Sequence, residues 1–422
     1  MKIKYSSITK FLICILVLMH LCFFLIPLSG TAMFSTSYIP KIRMFLFLVM
    51  VIMAMIFSIV YSCPSANGVI KFEVALLGIC WARAIVGASQ LGTAWDDTLA
   101  MIWPYLYTLI AIPLINLFCA GKWKAQKAAK FLVIVTSIDT LAKAFMSFYE
   151  SKTGVILWPN LVDGEMGYRN GLYRINPSAL SILVIPLSFW LISKAKSKRE
   201  KLTYVITILI DIFYAYIIWQ ARSALLYKTI IIIMLIFLHQ TNDKKKVVIA
   251  FIMMIGAVVL INTPVFNTFV DSFSKSNETY GNSTIARVNA YAYYGAMYLK
   301  SPFWGVGCLA TSERYAPGVA GGMLEDTGFF YGVVQLGVPI ILFYIAVFFR
   351  GIYISIKLRK MNIADSLLCL SMTLLFVMFG VNMDPFYAFA LALPFYVSFV
   401  EYVRWDSAKE VSVKYSCGFP DP

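Results

Sequence analysis

Apolar residues in this chain come in long runs, not in the alternating or one-sided patterns of soluble strands and helices. Such runs recur near residues 10–29, 43–63, 69–88, 100–120, 131–149, 177–193, 202–220, 223–239, 247–266, 326–349, 364–382 and 385–403. A helix needs about 20 mostly apolar residues to cross roughly 30 Å of hydrocarbon. Chain buried in lipid must also pair its backbone polar groups internally. The pattern therefore predicts an all-α membrane protein of about twelve transmembrane helices. The first run is too long for a removable signal segment and lacks a small-residue cleavage site, so it reads as the first span.

Composition agrees with this pattern and removes other classes. The 422 residues are 60% hydrophobic and 14% charged, whereas soluble domains average roughly 45–50% apolar and about 25% charged. Such a chain cannot cover itself with a polar surface. Its net charge of +15 is therefore no sign of a nucleic-acid partner, which would need a soluble basic face. Eight cysteines are scattered along the chain, most of them inside apolar runs, so a disulfide framework is excluded.

The basic residues report orientation instead. With the N-terminus inside, 23 of the 36 lysines and arginines fall on the cytoplasmic side, as the positive-inside rule requires. They are Lys71 and the clusters at Lys2–Lys10, Lys122–Lys130, Lys194–Lys201, Lys244–Lys246, Arg350–Lys360 and Arg404–Lys414. The expected organisation is one polytopic membrane domain over 1–403 and a cytoplasmic tail over 404–422, with both termini inside. Two outer segments, about 150–176 and 267–325, are too long to be simple connectors. Their aromatic residues (Trp158, Tyr168, Tyr291 and Trp304 among them) argue against disorder.

Candidate chemistry lies on that outer side. The chain has two histidines, His20 and His239, at different membrane depths, and no cluster with metal-ligand spacing. The expectation is no metal and no cofactor. Arg222 sits in WQARSALL (219–226), a short outer turn. There it either snorkels to headgroups or grips an anion with its planar fork. Arg287 lies in STIARVNAYAYYGAMYLKSPFWGVG (283–307), where an apolar stripe at helical spacing predicts an interfacial helix. That helix is either a passive surface element or a mount for a cation at headgroup depth. Arg174 precedes the sixth span in YRINPSAL (173–180). Arg169, just upstream, fits a solvated loop whose charges pair with each other. Glu325 and Asp326 open the tenth span in LEDTGFFYGVVQLG (324–337), where helix capping alone explains carboxylates.

In this order along the chain, the four elements resemble the O-antigen polymerase and O-antigen ligase superfamily of bacterial envelope assembly. SPFWGVG is similar to that family's Pro-x-x-Gly-x-Gly loop. QARSALL resembles its Ser-Arg-Gly/Ser-Ala turn, with Ala221 in place of the usual serine. The likeness covers roughly residues 170–340; the first 150 residues match only in hydropathy. It implies a GT-C-like fold and a metal-independent glycosyltransferase. The substrate would be an undecaprenyl-diphosphate-linked glycan, used on the outer face of the bacterial cytoplasmic membrane. Membrane lipids, a chain-length regulator and a flippase are the implied partners. Arg174, Arg222 and Arg287 would then bind the diphosphate, with Glu325 or Asp326 as catalytic base and Glu325 the preferred one. The ligase branch carries a His-Asn pair ahead of the tenth span. Glu325-Asp326 stand there in this chain, which favours repeat-unit polymerisation for a capsule, exopolysaccharide or lipopolysaccharide side chain.

Two further readings stay open on sequence. One is a ligase-type glycan transferase. The other is a lipid-linked oligosaccharide flippase or transporter, for which Arg83, Asp139, Lys143 and Asp211 within or near spans would be functional charges. For Asp139 and Lys143, four residues apart, an intrahelical ion pair is the simpler expectation.

Overall fold

A computed structural model describes residues 4–21, 38–155, 168–169, 171–240, 244, 281–317 and 321–416. The expected ninth span (247–266) and the end of the first (22–29) lie outside these residues. So do 156–167 and 267–280 of the two outer segments.

The described chain is almost wholly helical. Its elements are α1 (Tyr5–His20), α2 (Tyr38–Ile59), α3 (Pro64–Gln90), α4 (Trp95–Leu106), α5 (Ala111–Cys119), α6 (Ala125–Thr153), α7 (Ser181–Lys194), α8 (Lys198–Tyr214) and α9 (Arg222–His239). After them come α10 (Gly281–Tyr298), α11 (Phe329–Leu336), α12 (Val338–Leu358), α13 (Ile363–Phe379) and α14 (Ala392–Ser416). A hairpin of two short antiparallel strands, β1 (Tyr168–Arg169) and β2 (Leu172–Tyr173), lies between α6 and α7.

Five of these helical stretches, among the described residues, are long and apolar enough to cross a membrane: Met101–Cys119, Ala125–Thr153, Lys198–Trp219, Arg222–His239 and Val338–Leu358. The surface of α12 shows what they face. Ile345, Phe349, Tyr353 and Ile356 are all more than half exposed. A soluble helix would turn such a stripe inward; here it meets lipid. The protein is a multi-pass membrane protein.

Helix α13 sits centrally, packed against α7, α9 and α12. Short polar contacts hold neighbours together where lipid offers no hydrophobic drive. Ser188 of α7 bonds Thr207 of α8 at 2.9 Å, and Thr373 of α13 bonds Tyr396 of α14 at 2.9 Å. Two pairs of in-span charges are also accounted for locally. Asp139 and Lys143 pair at 3.2 Å along one face of α6, as their spacing suggested. Asp211 of α8 and Lys228 of α9 pair at 2.8 Å.

Hydropathy misplaces the ends of two spans. The run at 326–349 is not one helix: Gly328 (φ 66°, ψ −136°) and Gly337 (φ 70°, ψ −155°) break it. L-residues with side chains rarely adopt this backbone. Glu325 and Asp326 therefore stand on a 3₁₀ turn, Leu324–Thr327, ahead of the short α11, and do not open the span α12. The last run begins late. Turns occupy residues 380–391, α14 starts at Ala392, and the helix continues to Ser416 through most of the expected tail.

Candidate active site

The site is built where α8 turns into α9. Helix α8 ends in a π-helical turn, Ala215–Trp219. Gln220 follows in the left-handed region (φ 51°, ψ 32°), the sole described non-glycine residue with positive φ. Such outliers persist where the surroundings fix them and gather at functional sites. The kink frees the Trp219 carbonyl, which accepts a hydrogen bond from Arg174 Nε at 3.0 Å. Arg222 is the first residue of α9. A cation at a helix N-terminus opposes the macrodipole by about 0.3–1 kcal/mol, whereas an anion bound there would gain from both. Arg174 and Arg222, distant in sequence, thus flank one turn.

Arg174 is held in place by its own segment. Ser147 and Ser151 of α6 grip both sides of Tyr173: Ser147 Oγ donates to its carbonyl at 2.5 Å, and its amide donates to Ser151 Oγ at 2.8 Å. Tyr214 Oη donates to the Ile175 carbonyl at 2.8 Å. The residue between these anchors has little freedom.

Arg287 approaches from α10, the helix that its stripe predicted. Tyr291 Oη donates to the Thr327 carbonyl at 2.8 Å, tying α10 to the turn that carries Asp326. Gly322 lies against the same helix, so close that a Cβ there would come within 1.9 Å of the Ala286 carbonyl oxygen. Arg287 and Arg174 both act electrostatically on Asp326. Burial raises its carboxyl above the ordinary aspartate range, and the two guanidiniums draw it back down. The charge of Arg287 also reaches Tyr227, one turn into α9, whose hydroxyl accepts a bond from Asn382 at 2.9 Å. Of the five sequence candidates, Arg174 and Arg287 thus act electrostatically on a third, Asp326. Arg222 follows the turn that Arg174 bonds.

Glu325 has a different partner. It forms an ion pair with Arg314, and Arg314 also donates to Tyr387 Oη at 3.0 Å. Burial raises the Glu325 carboxyl, Arg314 opposes that shift, and neighbouring Asp326 adds to it. Only 5% of Arg314 is exposed. Sequence reading missed this arginine because it belongs to no motif. It meets Glu325 only because a β-bridge between Tyr315 and Met323 folds the loop back on itself.

The SPFWGVG loop turns out to be a clamp. Val306 and Gly307 amides donate to the Val334 and Gln335 carbonyls at 2.8 and 3.1 Å, and Val338 donates to Phe303 at 2.9 Å. Gly305 (φ 72°) and Gly337 (φ 70°) pass so closely that a Cβ on either would strike the other's backbone. Arg83 of α3 donates to the Gly305 carbonyl at 2.6 Å. The loop joins α3 to the α11–α12 break and so sets the position of the Asp326 turn.

Overpacking the contact at Gly322 tests whether the turn must sit flush on α10. Gly322→Ala is expected to cost about 1–3 kcal/mol through backbone displacement and to lower activity more than abundance. Thermal melting in detergent beside a turnover assay would read both.

Among the described residues no group of three or more His, Cys, Asp or Glu side chains is placed to hold a metal ion. The side chain of Arg169 lies outside the description. Residues 206–333 match the family model for O-antigen ligase, a stretch holding Arg222, Arg287, Glu325, Asp326 and Arg314 but not Arg174. Over this stretch, somewhat less than a third of the chain, the sequence is similar to the O-antigen ligase and polymerase superfamily. Enzymes of that family transfer glycans from lipid-linked substrates at membranes. No curated protein matches the chain.

Proposed function

We propose that the protein is a repeat-unit polymerase. It would join oligosaccharides carried on undecaprenyl diphosphate, at the outer face of the cytoplasmic membrane. The observation that carries this reading is that Arg174 and Arg287 both act electrostatically on one half-buried carboxylate, Asp326, and that Arg174 bonds the turn leading to Arg222. In the transfer, the bond between the anomeric carbon and the diphosphate oxygen breaks. The acceptor hydroxyl forms the new glycosidic bond and loses its proton. The departing diphosphate is an anion, and fixed guanidiniums in a water-poor site stabilise it by several kcal/mol without reorganising. They fill the role a metal ion would otherwise take. Their planar forks suit phosphate oxygens in pairs.

Asp326 is the base in this scheme. It lies within electrostatic reach of Arg174 and Arg287, whereas Glu325 is already engaged by Arg314. That geometry favours the opposite order from the one expected on sequence. Glu325 and Arg314 then act as positioning residues for the turn.

The polymerase reading is preferred over ligation because both histidines of the chain lie elsewhere. His20 packs on Tyr107 and Phe47. His239 ends α9, about 25 Å from Arg222 by helical rise, beside Phe189. Ligation remains the second reading, favoured by the description of the matching family. Transport is disfavoured because Arg83, Asp139, Lys143 and Asp211 are each committed to a local partner.

Purified protein given a lipid-linked repeat unit decides among these. Ladders of lengthened lipid-linked chains support polymerisation. Transfer of a finished chain to a separate acceptor, without lengthening, would establish ligation. Neither product would remove the enzymatic reading.

The orientation is proposed with twelve spans and both termini inside. Cysteines at Ser312 and Lys409, both exposed, test it on a background freed of native cysteines. Position 312 should label from outside intact cells and position 409 only after permeabilisation. Labelling in the reverse order would overturn the topology.

A further inference from the structure

Helices α3, α12 and α14 line a cavity of about 270 Å³, away from the Asp326 turn. It lies around Arg350, about 18 Å along α12 from Val338 by helical rise. Its walls are apolar: Gly68, Val69 and Phe72 from α3, Val347 from α12, Val397 and Val400 from α14. Phe72 meets Phe343 edge-on at 4.8 Å, which closes the end nearer the active site.

The other end is charged. Glu401, largely buried, accepts from both Arg350, through its two carboxylate oxygens, and Arg404 Nε at 2.9 Å. Arg404 also reaches Ser65 Oγ at 3.4 Å, in the first turn of α3. One arginine would suffice to pin α12 to α14. The second leaves a net positive charge at the rim, and both guanidinium side chains remain substantially exposed, at 50% and 40%. The first-turn amides of α3 add their positive end of the dipole. Lining residues Ala346 and Arg350 adjoin the lipid-facing Ile345 and Phe349, so a membrane lipid can enter sideways.

We propose that this cavity binds an anionic phospholipid. Its phosphate would lie between Arg350 and Arg404, and one acyl chain along Gly68, Phe72 and Val400. Basic rims between helices are favourable sites for anionic headgroups on the cytoplasmic side, and the apolar walls supply what a free phosphate could not use. The site is independent of which glycan transfer the enzyme performs.

Gly68 provides a clean probe. A Cβ there meets nothing within 4 Å, so Gly68→Leu fills the cavity without a backbone clash and improves helix propensity. Arg404→Gln removes one rim charge and leaves Glu401 paired with Arg350. The full-length protein in neutral detergent is melted with added phosphatidylglycerol, phosphatidylcholine or inorganic phosphate. Phosphatidylglycerol should raise the melting temperature by several degrees more than the other two, and each variant should lose most of that excess. Equal shifts from the two lipids would overturn the proposal. So would a full phosphatidylglycerol shift in Gly68→Leu, or its reproduction by phosphate alone.

Discussion

Replacing Arg287 by alanine is expected to abolish polymer formation while leaving protein abundance close to normal. The loss should be about 10²- to 10³-fold in turnover, the scale seen when one preorganised donor to a developing anion is removed. The Nε of Arg287 is buried without a hydrogen-bond partner, so it contributes little to the fold that alanine would cost. Arg222→Ala should behave alike, and it relieves an unfavourable cation at the N-terminus of α9. Lysine at either position should rescue poorly, because a point charge cannot make a two-pronged contact with phosphate oxygens. In-vitro polymerisation of a purified lipid-linked repeat measures this directly. Wild-type turnover in both alanine variants would remove the pair from the site.

Asp326→Asn is expected to lose about 10²- to 10⁴-fold in turnover, the usual contribution of a positioned base, while still binding the lipid-linked donor. The pH profile separates a base from a structural carboxylate. Burial holds the Asp326 carboxyl above its ordinary range, and the base works deprotonated. The rate should therefore rise with pH through a limb lying above the usual aspartate value. Arg174 lowers that value, so Arg174→Gln should move the limb to higher pH. Stability follows the same sign. A raised folded pKa contributes stability below the unfolded pKa, and that contribution is lost as pH rises through the folded one. At neutral pH, Asp326→Asn should therefore melt no lower than wild type. If the residue merely capped the turn, asparagine would keep most of the activity.

Glu325→Gln separates the two carboxylates. It leaves Arg314, whose side chain is 7% exposed against 28% for Glu325, without its carboxylate partner. Breaking a buried ion pair costs about 3–5 kcal/mol, and partial exposure of Glu325 should bring the value below that range. The expected phenotype is a lower melting temperature with a pH limb still present. A normal melting temperature with the limb abolished would instead make Glu325 the base.

The membrane class and the helical content were legible in the chain because each rests on local rules. Twenty apolar residues must form a helix in lipid wherever they occur. The apolar stripe of α10 was equally readable. It depends only on spacing. Tertiary structure alone decided which carboxylate meets which arginine. Glu325 and Asp326 are adjacent and chemically alike, yet a 3₁₀ turn sends one to Arg314 and the other toward Arg174 and Arg287. Gly328 and Gly337 create that turn's setting, but within an apolar run a glycine barely changes hydropathy, so the break could not be heard over the signal of the span. The contact between Arg174 and the Trp219 carbonyl depends on the left-handed Gln220, a conformation no propensity favours and only packing imposes.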